Sequence, residues 1–209
     1  MIKFKMLTVI GLCGLVLSAC GEGETTTKES ATSQESVTEE SVAVEESAVV
    51  ESTEKDNEVN ETEFGTITTL AQVKDINETQ QSGPFNVTIE AIQKSQMQPT
   101  ADYVEMFGGE DLAVITIQLS VENTNGDTNA IYPDQGTIVT DTKQQVEADM
   151  FISDSVGGDF IGEVVKNGTI QFIFDGNAED IKSFQYIVGS GSDSDWNNFG
   201  EDLTFDFSF

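Results

Sequence analysis

The sequence predicts an all-β fold, an immunoglobulin-like antiparallel β-sandwich behind a disordered N-terminal tether. Apolar and polar residues alternate in several runs between residues 85 and 209. Turn-forming pairs that contain glycine separate these runs, and no long stretch has helical periodicity. Period-two runs separated by such turns are typical of antiparallel sandwiches.

The first 20 residues have the three zones of a secretory signal peptide. Lys3 and Lys5 precede an apolar run over residues 6–17, which is shorter than the roughly 20 residues that a spanning helix needs. The tetrad Leu17-Ser18-Ala19-Cys20 resembles the lipobox of bacterial lipoproteins. That resemblance implies cleavage after residue 19 and acyl chains, such as palmitate, on Cys20. We expect a cell-membrane protein, lipid-anchored on the extracytoplasmic face; an uncleaved anchor or ordinary secretion is the alternative.

Residues 20–64 form the predicted tether, which is rich in serine, threonine, glutamate and valine. Phe64 is its first aromatic residue, so the segment has too little apolar surface to build a core. We expect a disordered acidic linker, with a frayed helix as the alternative, and a folded domain over residues 65–209.

Charge and cysteine content exclude several classes of protein. The formal charge is -29, and removal of Lys3 and Lys5 with the signal peptide brings it to -31. Such a chain repels nucleic acid and attracts cations or basic partners, although solubility alone also explains the acidity. Cys13 would leave with the signal peptide and Cys20 would carry lipid, so no disulfide is expected.

Alternation predicts the strands of the domain one by one. Five main runs are expected, and two shorter strands should turn around Asp141, Thr142 and Lys143. The main runs are residues 85–91, 113–121, 170–174, 184–188 and 203–209, and the shorter strands are residues 137–140 and 144–148. Tight turns are predicted at Gly83-Pro84, Asn125-Gly126, Asn167-Gly168 and Asp175-Gly176.

Several short segments resemble a domain of unknown function found in Gram-positive lipoproteins. They are Val121-Glu122-Asn123-Thr124, Tyr132-Pro133-Asp134-Gln135, residues 145–149, Gly162-Glu163-Val164 and residues 167–172. The resemblance implies an immunoglobulin-like sandwich, similar to that of the mycobacterial immunoprotective extracellular antigen, in an extracytoplasmic setting. It implies no catalytic residue.

The residues offer little for catalysis. Without histidine or a free cysteine, hydrolytic triads and the usual zinc sites are excluded. A hydrolase that uses a pair of carboxylates stays open, but so many acidic residues make accidental pairs common. Met97, Met106 and Met150 alone are weak evidence for copper binding, because packing is the commoner use of methionine. We therefore expect no enzyme activity.

The most specific candidate site is a loop with Asp193, Asp195 and Asn197 at the first, third and fifth positions of a calcium-loop pattern. Asn198 and Thr204 then occupy positions where an EF-hand requires glycine and glutamate, so at most a weak calcium site is predicted.

Two aromatic side chains, Trp196 and Tyr103, lie in polar or glycine-rich segments. Each is suited either to stacking on a sugar or partner or to capping the sandwich.

These observations predict a non-enzymatic binding or interaction domain on a membrane-anchored extracytoplasmic lipoprotein. The expected partner is an extracytoplasmic protein or another cell-envelope ligand. Calcium-dependent binding of a ligand or carbohydrate is the alternative, and a hydrolase is a third. No cofactor other than weakly bound calcium is expected.

Overall fold

The computed structural model describes residues 57–209, which fold almost entirely as antiparallel β-structure. The strands in chain order are β1 Val59–Glu61, β2 Gly65–Val73, β3 Glu78–Ser82, β4 Phe85–Pro99, β5 Leu112–Asn123, β6 Thr128–Ile131, β7 Thr137–Thr140, β8 Gln145–Glu147, β9 Gly158–Ile161, β10 Val164–Asp175, β11 Ser183–Val188, β12 Ser192–Asp193 and β13 Leu203–Ser208. Helix α1 spans Val104–Phe107, and two 3-10 turns span Pro133–Gln135 and Ala178–Asp180.

Two sheets form the sandwich. The first has the order β1-β2-β4-β5-β10, with β3 beside the N-terminal half of β4, and the second has the order β13-β11-β7-β8. Strands β4, β5 and β10 thus take the places of immunoglobulin strands A, B and E, while β7, β11 and β13 take those of C, F and G. The predicted all-β, immunoglobulin-like sandwich is confirmed.

The core lies between the two sheets because the inward positions of both are apolar. Phe172 of β10 packs edge-on against Tyr186 of β11, with ring centroids 5.7 Å apart. Tyr186 also donates a 2.7 Å hydrogen bond to the carbonyl of Pro133, and burial raises the pKa of its phenol far above the usual range. This hydrogen bond gives a partner to the hydroxyl of Tyr186, which is the only polar group on a fully buried side chain.

The third sheet, of order β12-β6-β9, lies at one end of the sandwich. Phe160 of β9 is fully buried against Phe85 of β4, at a centroid distance of 5.1 Å. Lys166 of β10 donates to the carbonyl of Gly157 at 2.6 Å, and its ammonium lies 4.2 Å from the Phe160 ring centroid. These contacts fasten the small sheet to the main core.

The predicted strands and most turns are found, with two corrections. Asn167-Gly168 is not a turn but lies inside β10, where a side chain on Gly168 would meet Val156 at 2.6 Å. The glycine there permits a close approach of the segment before β9. The sheet also begins with Val59–Glu61, which pairs with β2 and so precedes the boundary predicted at residue 65.

Candidate functional site

The connection between β11 and β13 is folded onto the end of the sandwich. The Phe199 ring fills the space where Gly83 has no side chain, since a Cβ on Gly83 would lie 2.3 Å from that ring. Gly191 donates through its N–H to the Ser82 hydroxyl at 2.9 Å, and Phe199 N–H donates to the Gly191 carbonyl at 2.8 Å. This 14-residue span therefore has its own packing, unlike a purely solvated link.

Asp193 organises the tip of this connection. Its Oδ1 accepts hydrogen bonds from the N–H groups of Asp195 and Asn197, both at 2.9 Å, and its Oδ2 accepts from the Asn197 side-chain amide at 2.9 Å. These donors, led by the Asn197 side chain, lower the pKa of the Asp193 carboxyl. Asp193 therefore remains ionised and holds the turn in one shape.

The turn presents Trp196 to solvent. Its backbone is left-handed, with φ of 65°, and its side chain is 75% exposed. The indole lines a depression of about 150 Å³ together with Thr128, Asn129, Ala130, Asp159, Asp193 and Ser194. A large aromatic surface beside carboxylate, hydroxyl and amide groups suits contact with a partly polar ligand.

Two buried asparagines support the neighbouring loop. The side-chain amide of Asn123 donates to the carbonyls of Asp127 and Gly162 at 3.0 and 2.8 Å. Asn129 donates to the side-chain oxygens of Asn125 at 2.8 Å and Asn123 at 3.3 Å. Both asparagines are nearly inaccessible to solvent. The network fixes the β5–β6 loop, and Asn129 also reaches the Trp196 depression.

The structure brings the three predicted calcium ligands into one turn, but it gives Asp193 other partners. The carboxylate that would bind the ion already receives three N–H donors, and Asn197 directs its amide nitrogen at it. Within residues 57–209, no group of three or more histidine, cysteine, aspartate or glutamate residues is placed to hold a metal ion. Weak calcium binding here stays a prediction.

The other sequence candidates lie elsewhere. Tyr103 is half-buried next to Phe64, with ring centroids 5.1 Å apart, so it serves the outer apolar cluster of the first sheet. Met97 is buried in that cluster, while Met106 and Met150 are exposed. Cys20 and the signal peptide are outside the described residues. In the part of the chain from residue 57 onward, no helix is long and apolar enough to cross a membrane.

A larger cleft, of about 850 Å³, lies on the side of the sandwich between β3 and β13. Glu78 and Asp206 both line it. Burial raises the pKa of Glu78 by more than a hydrogen bond with Gln80 lowers it, and the charge of Asp206 adds a smaller increase. The hydrolase alternative, for which the sequence singles out no carboxylate pair, also stays a prediction.

Comparison with known proteins finds similarity to an uncharacterized lipoprotein. The chain is similar to the SPbeta prophage-derived uncharacterized lipoprotein YonS of Bacillus subtilis (strain 168), with 27% identity over 154 residues, 72% of this chain and 70% of the relative. No protein-family model matches the chain. The likeness to YonS confirms the predicted resemblance to Gram-positive lipoproteins of unknown function.

One solved structure supports the fold. A functionally unknown protein from Listeria monocytogenes EGD-e overlays with a TM-score of 0.52 at 14% identity, over 69% of this chain and 87% of that chain. The yjhA protein from Bacillus subtilis overlays with a TM-score of 0.45 at 13% identity, over 65% of this chain and 99% of that chain.

Proposed function

We propose that the protein is a lipoprotein held on the extracytoplasmic face of the cell membrane by a lipid on Cys20. Its domain is a non-enzymatic binding module that contacts a cell-envelope partner through the Trp196 turn. The signal-peptide pattern and the similarity to a Bacillus lipoprotein support the anchor. The single observation that supports the binding role is the exposed indole of Trp196 on a turn held by hydrogen bonds to Asp193.

The exposure of the indole and the fixed backbone of the turn both favour binding of a partner. An indole that is 75% exposed leaves a large apolar surface in water, which a partner would bury with a gain of free energy. The hydrogen bonds to Asp193 fix the backbone beforehand, so binding orders few additional groups. Aromatic anchors on preorganised loops are frequent hot spots of protein interfaces.

The test is site-specific photo-cross-linking in cells that carry the anchored protein. A photoreactive phenylalanine analogue replaces Ser194, which lines the same depression and leaves Trp196 in place, in one strain and Phe151, which is 85% exposed on a different loop, in a matched strain. We expect a discrete adduct from position 194 and none of that size from position 151. The same adducts from both positions, or none from position 194, would contradict the proposed contact surface.

A carbohydrate partner is the second candidate, and the composition of the depression favours it. Sugars stack on an indole through their C–H faces and donate hydroxyls to neighbouring carboxylates such as Asp159. Trp196 is the only tryptophan in the chain, so its emission reports on this surface alone. Isolated peptidoglycan should shift the emission to shorter wavelength if a glycan binds, and unchanged emission at saturating peptidoglycan would favour a protein partner.

A further inference from the structure

The outer edge of β13 has unpaired backbone groups. In its antiparallel pairing with β11, alternate residues direct their peptide groups toward the neighbour, and the register directs those of Thr204, Asp206 and Ser208 outward. The N–H and carbonyl of Thr204 are paired with the Gln80 side chain of β3. For Asp206 and Ser208, no hydrogen-bond partner of the peptide groups is present within residues 57–209.

The side cleft runs along this same edge. Residues of β13 between Thr204 and Ser208 form one wall together with residues of β7 and β11 and Asp141, and residues of the first sheet and of the β2–β3 connection, including Ile76, form the other wall. A volume of about 850 Å³ is within the range of ligand-binding clefts, about 300 to 1,000 Å³. The Gln80 side chain closes the cleft at Thr204, so the open part lies beside Asp206 and Ser208.

The charge of the cleft is uniformly negative. Glu78, Asp141 and Asp206 line it, and no lysine is among its lining residues in the described part of the chain. Burial is the main cause of the raised pKa of Glu78, and repulsion by the Asp206 carboxylate makes a smaller contribution. A cation in the cleft would relieve that repulsion.

We propose that this cleft binds an extended, lysine- or arginine-bearing peptide, which adds to β13 as a further strand. The peptide groups of Asp206 and Ser208 would pair with its backbone, in the manner of strand addition to a sheet edge. A side chain directly across from Asp206 would lie on the same face as that carboxylate and should be basic. The peptide residues before and after that basic residue would point toward the same face as Phe207 and should be apolar.

The same charges disfavour a second copy of this chain as the occupant. Antiparallel pairing of two β13 edges about their centre would place the Asp206 side chains of the two copies near each other, and like charges opposite one another are destabilising. Charged residues on edge strands commonly prevent such self-pairing. The charge of Asp206 therefore disfavours pairing of β13 with a second copy and favours pairing with a basic strand.

The probe is a synthetic peptide of alternating lysine and valine, acetylated and amidated, titrated into the mature chain from residue 20 by calorimetry at physiological salt. The control probe has the same sequence but carries N-methyl groups on every second residue, which removes the backbone donors that face β13. The acidic tether attracts both probes equally, so their difference reports strand pairing. Loss of these hydrogen bonds should weaken binding about tenfold or more.

Two protein variants complete the test. Asp206→Asn removes the charge and preserves the strand edge, and Glu147→Gln removes an equal charge from β8 at the opposite edge of the same sheet. We expect Asp206→Asn to weaken binding of the unmethylated probe several-fold and Glu147→Gln to leave it unchanged. Thermal melting verifies that both variants fold.

The backbone N–H signals of Asp206 and Ser208 should shift in NMR spectra when the unmethylated probe binds. Equal affinity for the two probes, equal effects of the two variants, or a β13-mediated dimer of the unaltered protein would overturn the proposal.

Discussion

Replacement of Phe205 by alanine should strongly destabilise the domain. Phe205 has no solvent exposure and lies between Tyr186 and Phe207, at centroid distances of 6.0 and 6.4 Å. Removal of a fully buried phenylalanine side chain costs about 3 to 5 kcal/mol through lost burial and the residual cavity. The two near-parallel ring contacts favour the upper part of that range, because aromatic pairs contribute about 0.5 to 1.5 kcal/mol beyond burial.

Thermal and urea denaturation followed by circular dichroism would measure the loss. For a domain of about 150 residues, each kcal/mol lowers Tm by roughly 2 to 4 °C, so Phe205→Ala should lower it by roughly 6 to 20 °C. Phe151→Ala is the matched control, because Phe151 is 85% exposed and should change stability by less than about 0.5 kcal/mol. An unchanged Tm for Phe205→Ala would refute the assignment of β13 to the core.

Three further predictions concern buried polar groups and the metal hypothesis. Asn123→Ala should destabilise the domain by about 1 to 3 kcal/mol, measured by urea denaturation, because it removes a buried side chain that donates to the carbonyls of Asp127 and Gly162. Burial lowers the pKa of Lys94, so the folded state binds fewer protons than the unfolded chain, and stability should rise as pH approaches the ordinary lysine pKa of about 10.4. Lys94→Met should lack this rise in pH-dependent melting. Calorimetry should detect calcium binding with Kd of about 10⁻⁴ to 10⁻³ M if the loop is a metal site, and Asp193→Asn with Asp195→Asn should abolish it. Binding that is absent from the parent would remove that hypothesis.

Alternation predicted the strands that bury one face, since the sandwich core imposes it. This pattern failed to predict a strand correctly where a β-bulge shifts the alternation of apolar and polar residues. A bulge in β2 between Thr69 and Ala71 breaks the period, so Ile67 and Val73 face different apolar clusters and no alternating run is visible. A similar shift in β4 follows Ile89, which is why that strand was predicted to end too early.

The short polar strands were missed for a different reason. Strand β3 reads Glu-Thr-Gln-Gln-Ser and contributes mainly backbone pairing and the Gln80 contact to Thr204, which no hydrophobic pattern records. Asn167-Gly168 has the composition of a turn, but its glycine serves a close approach within β10. Local composition does not distinguish these two uses of glycine.

The candidate site was predicted only in part. Trp196 was selected as an aromatic residue in a polar segment, and the structure shows it exposed and lining a depression, while its binding role stays a prediction. The spacing of Asp193 and Asn197 suggested metal ligands, and the structure shows the Asp193 carboxylate accepting hydrogen bonds from Asn197 that shape the turn. The packing of Phe199 over Gly83 joins residues over 100 positions apart, so sequence reasoning had no signal for it.

Hydroxyl-radical footprinting on intact cells tests whether the anchored domain contacts a partner through Trp196. Trp196 and Met150 are both 75% exposed in the domain, so they form a matched pair of oxidisable side chains. Oxidation of Trp196 relative to Met150 is compared by mass spectrometry between the anchored protein and its released Cys20→Ala variant. A tethered binding module predicts that Trp196 is protected only in the anchored form. Equal oxidation of Trp196 in both forms would contradict the account.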